Sequence, residues 1–192
     1  MCIRDRCSIV QYVGNNTAGA KLAHGLSQKP KTIWIKNRDS AATNWVVGHI
    51  GLDGGNEPWT HAIYLNEDEA ELDYDFFMDK APTAYSFEVT TGSVNDTNKK
   101  YVAILFRSIT GISKVGSYSG SSSSVTVTTG FQPRFVLLKR ADGSANWYLM
   151  DTLRGMGNTS THRIKLNTDA AQDEPTGGPY VVPVSTGFDV RR

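Results

Sequence analysis

Short apolar segments, rich in β-branched and aromatic residues, alternate along the whole chain with clusters of Gly, Asn, Asp and Ser. Spacing of this kind is typical of antiparallel β-strands joined by tight turns. In 125–128 apolar and polar residues alternate strictly, so one face of that strand is expected to meet water. The pattern predicts strands at 8–13, 20–24, 32–36, 45–49, 61–65, 84–90, 101–106, 112–118, 124–129, 135–139, 147–151, 162–166 and 180–184. The one helix candidate, 67–78, is acidic and poorly periodic, and predicts a turn or two at most.

The first half of this pattern returns in the second half. Residues 28–45 resemble 132–147, with Pro30 matched to Pro133 and Trp45 to Trp147. Shorter matches flank this pair: 12–14 with 118–120, 61–66 with 162–167, and 89–92 with 184–187. Collinear matches with slowly drifting offsets predict an internal duplication with small loop deletions. A repeat of about 100 residues is the size of a domain, not of a solenoid unit.

The repeat divides the chain into two tandem antiparallel β-sandwich units with a jelly-roll-like character, expected at residues 8–108 and 109–192. Residues 1–7 are set apart, because 1–6 resemble the translation of a common sequencing adapter; a frayed polar terminus is the alternative. The first unit ends in the apolar run 101–106, whereas the second stops before an equivalent run. We therefore expect the second unit to lack its closing strand.

Composition excludes several classes of function. A formal net charge of +1 provides no field that would attract nucleic acid or an anionic membrane. No apolar run approaches the roughly 20 residues that a membrane-spanning helix needs. We therefore expect neither a nucleic acid nor a membrane as partner.

Catalytic and metal-binding patterns find little support. The chain has no Gly-x-Ser-x-Gly turn and no glycine-rich phosphate loop before a helix, although two glycosidase carboxylates could lie anywhere among its 19 acidic residues. His61 and His162 occupy matched positions on apolar strand faces, which favours a structural role. The acidic segment 67–79 is interpreted as a solvated loop, with Ca²⁺ binding as the alternative. We expect no enzyme activity, no cofactor and no metal site.

Four tryptophans suggest two different roles. Trp45 and Trp147 are matched in the repeat and are expected to anchor the two cores. Trp59 lies in a loop rich in Gly, Asn and Pro, and Trp34 faces the side of its strand opposite Ile33 and Ile35. An exposed aromatic ring beside amide and carboxylate groups can stack on a sugar, so Trp59 and Trp34 are the candidate binding residues. The alternatives are that Trp59 pins its loop onto the sheet and that Trp34 packs in a second layer.

Several motifs together resemble a known family. They are Tyr-x-Gly-Asn at 12–15, Leu-Ala-His-Gly-Leu at 22–26, Trp-Ile-Lys-Asn-Arg at 34–38, Asn-Trp at 44–45 and Tyr-Val-Ala at 101–103. This set resembles a β-rich domain of unknown function that occurs, often in tandem, in tail-fibre and other virion proteins of tailed bacteriophages. The resemblance covers 8–106 well and 112–190 loosely, since Thr-Gly-Phe at 129–131 replaces His-Gly-Leu and Arg140 replaces Asn37.

The resemblance implies a virion location, and other virion proteins or copies of the same chain as partners. It carries no catalytic residues. The expected function is therefore that of a non-catalytic phage structural protein, part of a tail fibre or similar appendage, with attachment to a host-surface glycan as a further role. The alternative is a carbohydrate-binding module of a polysaccharide-degrading enzyme.

Overall fold

A computed structural model describes residues 6–157, 161–174 and 181–191. Within them the chain is all-β, with fourteen strands and two short 3-10 turns at Leu52–Gly55 and Gly92–Val94. The strands are Cys7–Val13 (β1), Ala20–Ala23 (β2), Thr32–Asn37 (β3), Val46–His49 (β4), His61–Tyr64 (β5), Leu72–Asp73 (β6), Ser86–Val89 (β7), Lys100–Phe106 (β8), Val125–Thr128 (β9), Phe135–Leu138 (β10), Tyr148–Asp151 (β11), Ile164–Lys165 (β12), Val181–Val184 (β13) and Gly187–Val190 (β14).

The N-terminal half, residues 6–108, contains all seven strands expected there. Six strands form one antiparallel sheet in the order β1-β8-β3-β4-β5-β6, and β2 pairs with β7 in a second, two-stranded sheet. Because successive side chains alternate between faces, Ile33 and Ile35 of β3 and Ala103 and Leu105 of β8 point to the same buried side. They share one core with Phe87 and other residues. A sandwich arrangement fits this packing. The acidic segment contains the short strand β6 and no helix.

The C-terminal half, residues 109–191, has two three-stranded antiparallel sheets, β10-β11-β12 and β13-β14-β9. Their side chains form a smaller core of Val136, Met150, Met156, Val181 and Phe188. Strand β14 was not expected from the sequence. The residues 1–5 that the adapter interpretation concerns lie outside the described residues, whereas Cys7, assigned to the same segment, already belongs to β1.

Pairing registers correspond between the halves. Ile33 lies opposite Gly48 as Val136 lies opposite Met150, and three consecutive strands follow this register in each half. In the second sheets Leu22 faces Phe87, and Val127 faces Phe188. The corresponding strands are therefore Ser86–Val89 and Gly187–Val190. The offset between these two strands differs by six residues from that of the sequence match of 89–92 with 184–187.

A pair of asparagines repeats the correspondence at the level of side chains. The Trp45 backbone N–H donates to Oδ1 of Asn66 at 2.7 Å, and the Asn66 amide donates to Oδ1 of Asn44 at 2.7 Å. In the other half the Trp147 backbone N–H donates to Oδ1 of Asn167 at 2.9 Å, and the Asn167 side-chain amide donates to Oδ1 of Asn146, also at 2.9 Å. Each asparagine thus closes the loop before the tryptophan against the end of the neighbouring strand.

The strand expected at 112–118 is absent, and this prediction was wrong. Only an isolated bridge between Ile109 and Ser113 forms there. The segment matched to 112–118 in the first half is β1, which pairs with β8 alone. Since the described C-terminal residues contain no strand in the place of β8, the segment has no edge from which to take backbone hydrogen bonds.

The two halves pack against each other. A third buried cluster joins Val47, Leu52 and Ile63 of the N-terminal half to Trp147 of the C-terminal half. Partly buried apolar residues from both halves surround it, namely Trp34, Leu65, Leu137 and Ala141. The outer face of the six-stranded sheet is thus partly covered by the second half.

Candidate binding surfaces

Trp59 is a core residue in the structure. Only 6% of it is exposed, and its ring meets the ring of Phe77 edge to face at a centroid distance of 5.5 Å. Gly48 lies beneath the two rings, where an added Cβ would come within 2.9 Å of Trp59 Cζ3. Left-handed conformations at Asp53 and Gly54 fold the loop back over the sheet. The exposed ring expected from the loop composition is therefore not found, and Trp59 pins its loop.

Trp34 lies on the outer face of β3, as strand alternation predicted, but this face is covered. Its indole N–H donates to Oγ1 of Thr32 at 3.1 Å, and its ring tilts against Phe106 at 5.1 Å. The other side packs on the cluster that joins the halves. This arrangement corresponds to the second packed layer, in which Trp34 is partly buried.

The matched tryptophans differ from each other. Trp147 is 6% exposed and donates its indole N–H to the Tyr64 carbonyl of the N-terminal half at 2.8 Å. Trp45 is only half-buried and belongs to none of the three buried clusters. The prediction of two equivalent core anchors was therefore wrong. Trp147 packs in the contact between the halves, whereas Trp45, at the matched position of the first half, does not belong to that contact cluster.

Two histidines are held neutral by their surroundings. Nε2 of the buried His24 donates to the Thr83 carbonyl at 3.2 Å, while Nδ1 accepts from the Leu26 N–H at 3.1 Å. Desolvation lowers the pKa of His24, and the Thr83 contact opposes this in part. Nδ1 of His49 accepts from the Gly51 N–H at 3.0 Å, and burial lowers its pKa to about 4. Both rings act as local structural acceptors.

The acidic segment serves as a docking edge for the C-terminal half. Nζ of Lys139 donates to the carbonyls of Asp68 at 3.2 Å and Glu69 at 2.7 Å. The Ala145 N–H donates to the Asp68 carbonyl at 2.8 Å. Among the described residues, no group of three His, Cys, Asp or Glu side chains is arranged to hold a metal ion.

Surface grooves among the described residues include the following two. One, of about 330 Å³, lies beside the start of β10 and is lined by Pro133, Arg134, Met156 and Val182, among others. The other, of about 400 Å³, lies along β7, and its lining combines the polar residues Lys21, Asp79, Lys80, Thr83 and Glu88 with Ala81 and Phe87. Glu88 forms ion pairs with Lys80 at 3.1 Å and with Lys21 at 3.8 Å.

Tyr85 is 74% exposed and lies in the chain between Thr83 and Ser86, two residues that line the groove along β7. A turn holds it out: Oγ1 of Thr83 accepts from the N–H groups of Tyr85 at 3.2 Å and Ser86 at 2.9 Å. Tyr85 was not among the candidates expected from the sequence, because it falls within the strand predicted at 84–90. The strand begins only at Ser86, so the alternation that buries Phe87 does not extend to Tyr85.

Comparison with known proteins places the chain in a family. Residues 6–192 match the model described as a domain of unknown function, DUF7483, so the chain belongs to that family. No curated protein matches it. No solved structure matches it either. Among the described residues, no helix is long and apolar enough to cross a membrane.

Proposed function

We propose that this chain is a structural segment of a tailed-phage virion, part of a tail fibre or similar appendage, built from two copies of one β-sandwich module. The shared pairing registers and the repeated Asn–Trp–Asn arrangement support an origin by duplication. Such repetition of a scaffold suits an elongated assembly, in which one module is used several times.

The observation that carries this proposal is the packed contact between the halves. Trp147 is buried against the first half, and its indole N–H is bonded to the Tyr64 carbonyl. Lys139 adds a second tie to the acidic segment. Its counterpart Lys36 instead bonds to the Ser40 and Thr43 carbonyls of its own loop. Two modules fixed in this way transmit force and orientation along a chain better than modules joined by a flexible linker.

Immunoelectron microscopy of phage particles tests the assignment. Antibodies raised against the purified chain should label a tail appendage of a phage whose genome encodes it. Labelling of the capsid alone, or no labelling of intact or opened particles that contain the protein, would contradict an appendage role. Expression next to a polysaccharide-degrading catalytic domain, without incorporation into particles, would favour the rival carbohydrate-binding module.

A glycan-attachment role is carried by a different surface from the one the sequence suggested. Trp59 is buried and Trp34 is partly buried, whereas the exposed Tyr85 lies in the chain between Thr83 and Ser86, which line a groove with amine, carboxylate and hydroxyl groups. Aromatic stacking flanked by such groups is the chemistry of weak saccharide binding, and several copies in an appendage would raise its strength.

A glycan array with the wild type and Tyr85→Ala tests this role. The matched control is Tyr74→Ala, since Tyr74 is 59% exposed and neither it nor its neighbours in the chain line the groove. Loss of binding in Tyr85→Ala with retention in Tyr74→Ala would support the groove. Equal binding by all three proteins, or none by any, would leave the chain with the structural role alone.

A further inference from the structure

The groove along β7 contains a carboxylate that lies between two ammonium groups. Glu88 is opposite Lys21 in the pairing of β7 with β2, so both side chains point to the same face of the two-stranded sheet. Oε1 of Glu88 lies 3.8 Å from Nζ of Lys21, and Oε2 lies 3.1 Å from Nζ of Lys80. Each carboxylate oxygen therefore faces one ammonium group.

The sheet fixes the position of this carboxylate. Glu88 belongs to β7, and its neighbours Phe87 and Val89 are buried in the core of the first half. The side chain of Glu88 is 20% exposed, whereas those of Lys21 and Lys80 are 71% and 61% exposed. The carboxylate is thus the most buried of the three charged groups, and the two ammonium groups lie closer to solvent.

The formal charges that line the groove cancel. Lys21 and Lys80 contribute two positive charges, and Glu88 and Asp79 contribute two negative charges. Desolvation, followed by the charges of three neighbouring carboxylates, raises the pKa of Asp79. The groove therefore offers an anionic ligand no surplus of positive charge, and the carboxylates around Asp79 repel such a ligand.

Hydrogen-bonding groups remain available although the charges cancel. An ammonium group has three donors and a carboxylate has about four acceptor positions, so the contacts of Glu88 with Lys21 and Lys80 leave some of both unused. Adjacent hydroxyl groups of a sugar match this set, because one hydroxyl donates to the carboxylate while its neighbour accepts from an ammonium group. Thr83 and Ser86 add hydroxyl groups to the lining.

We propose, on the basis of the glycan attachment inferred above, that Glu88 determines the specificity of this groove: it admits uncharged saccharides through their vicinal hydroxyl groups and excludes acidic ones. An acidic sugar brings a second carboxylate to Lys21 or Lys80, where the Glu88 carboxylate already lies at 3.8 and 3.1 Å. Two like charges about 4 Å apart in water repel by an amount that corresponds to roughly fivefold in affinity. Without the charge of Glu88, the two lysines form a site for an anion.

Methyl β-glucopyranoside and methyl β-glucuronide are matched probes, because they differ only in the replacement of a hydroxymethyl group by a carboxylate. Each is titrated into the intact chain at low salt, and NMR follows the chemical shifts of the Lys21, Ser86 and Glu88 amides. The wild type should bind the glucoside about fivefold more tightly than the glucuronide. High salt should reduce this difference, because screening weakens the repulsion.

Glu88→Gln keeps the shape of the side chain and removes its charge. Exposed ion pairs contribute little to stability, so the variant should remain folded. It should reverse the order of the probes and bind the glucuronide about fivefold more tightly than the glucoside. The matched control is Glu69→Gln, which changes the net charge equally at an exposed residue outside the groove lining and should keep the wild-type order.

Equal affinity of the wild type for both probes at low salt would overturn the proposal, and so would an unchanged order in folded Glu88→Gln. A wild type that binds neither probe, together with a Glu88→Gln variant that binds the glucuronide, would support the exclusion of anions by Glu88 and contradict glycan attachment. Binding of neither probe by either protein would overturn both.

Discussion

Replacing Trp147 by alanine should cost far more than replacing Trp45, although the two residues occupy the same place in the repeat. Trp147 is 6% exposed and packs on Val47, Leu52 and Ile63. A tryptophan buries about 150–250 Å², worth roughly 4–6 kcal/mol at about 25 cal/mol per Å² as an upper bound. The hydrogen bond to the Tyr64 carbonyl adds about 1 kcal/mol.

We therefore expect Trp147→Ala to lower the free energy of unfolding by about 3–5 kcal/mol, the range typical of large core truncations. Trp45→Ala should cost about 1 kcal/mol, since this side chain is half-buried and lies outside the buried clusters. Urea denaturation followed by circular dichroism measures both. Trp147→Phe separates the contributions, because it keeps the apolar packing and loses the hydrogen bond, with an expected cost of about 1–2 kcal/mol.

Equal costs for Trp45→Ala and Trp147→Ala would refute this reasoning, because they would mean that position in the repeat, not contact between the halves, decides the energy. A loss below about 1 kcal/mol in Trp147→Ala would mean that the halves do not depend on this contact.

Three further outcomes are expected. The free energy of unfolding should fall by up to about 3 kcal/mol as the pH drops from about 6.5 to about 4. The pKa of His49 is lowered in the folded chain, so in this range the unfolded chain binds a proton at His49 first. In a series of urea midpoints measured against pH, His49→Gln should flatten this fall. Asn66→Ala and Asn167→Ala should each cost about 1–3 kcal/mol in the same assay, and near-zero costs would show that their bonds are dispensable. Gly187→Ala should prevent folding or destabilise the chain strongly, since the added Cβ would lie 2.0 Å from the Val127 carbonyl oxygen. The control Gly120→Ala should melt close to the wild type, and similar melting temperatures for the two variants would contradict the β14–β9 pairing.

Strand content could be predicted from the sequence because alternation and turn residues are local signals. The duplication stays a prediction, which the similar pairing registers support. Alternation and turn residues identified seven of the eight strands of the N-terminal half, all but β6, to within two residues at each end. The segment 112–118 failed for a non-local reason: its sequence resembles β1, but a strand forms only where a partner offers hydrogen bonds. Strand β14 was not predicted. Its sequence Gly-Phe-Asp-Val occupies the register of Ser-Phe-Glu-Val in β7, whereas the expected match of β7 was with Val-Ser-Thr-Gly at 184–187.

The candidate site was less predictable. Loop composition suggested an exposed Trp59, but left-handed residues fold its loop onto Phe77, and no sequence pattern encodes that closure. Trp34 was placed on the correct face, yet only the packing of the halves shows what covers it. Exposure is a property of tertiary contacts. The exposure of Tyr85 depends on the turn at Thr83, which places Tyr85 before the start of β7.

The correspondence of the two halves is tested most directly by interstrand NOEs in the NMR spectrum of the chain. If Gly187–Val190 is the counterpart of Ser86–Val89, Val127 should show NOEs to Phe188 in the same pattern as Leu22 shows to Phe87. NOEs from Val127 to β13 in place of β14 would contradict the account. They would mean that the second half is assembled differently from the first.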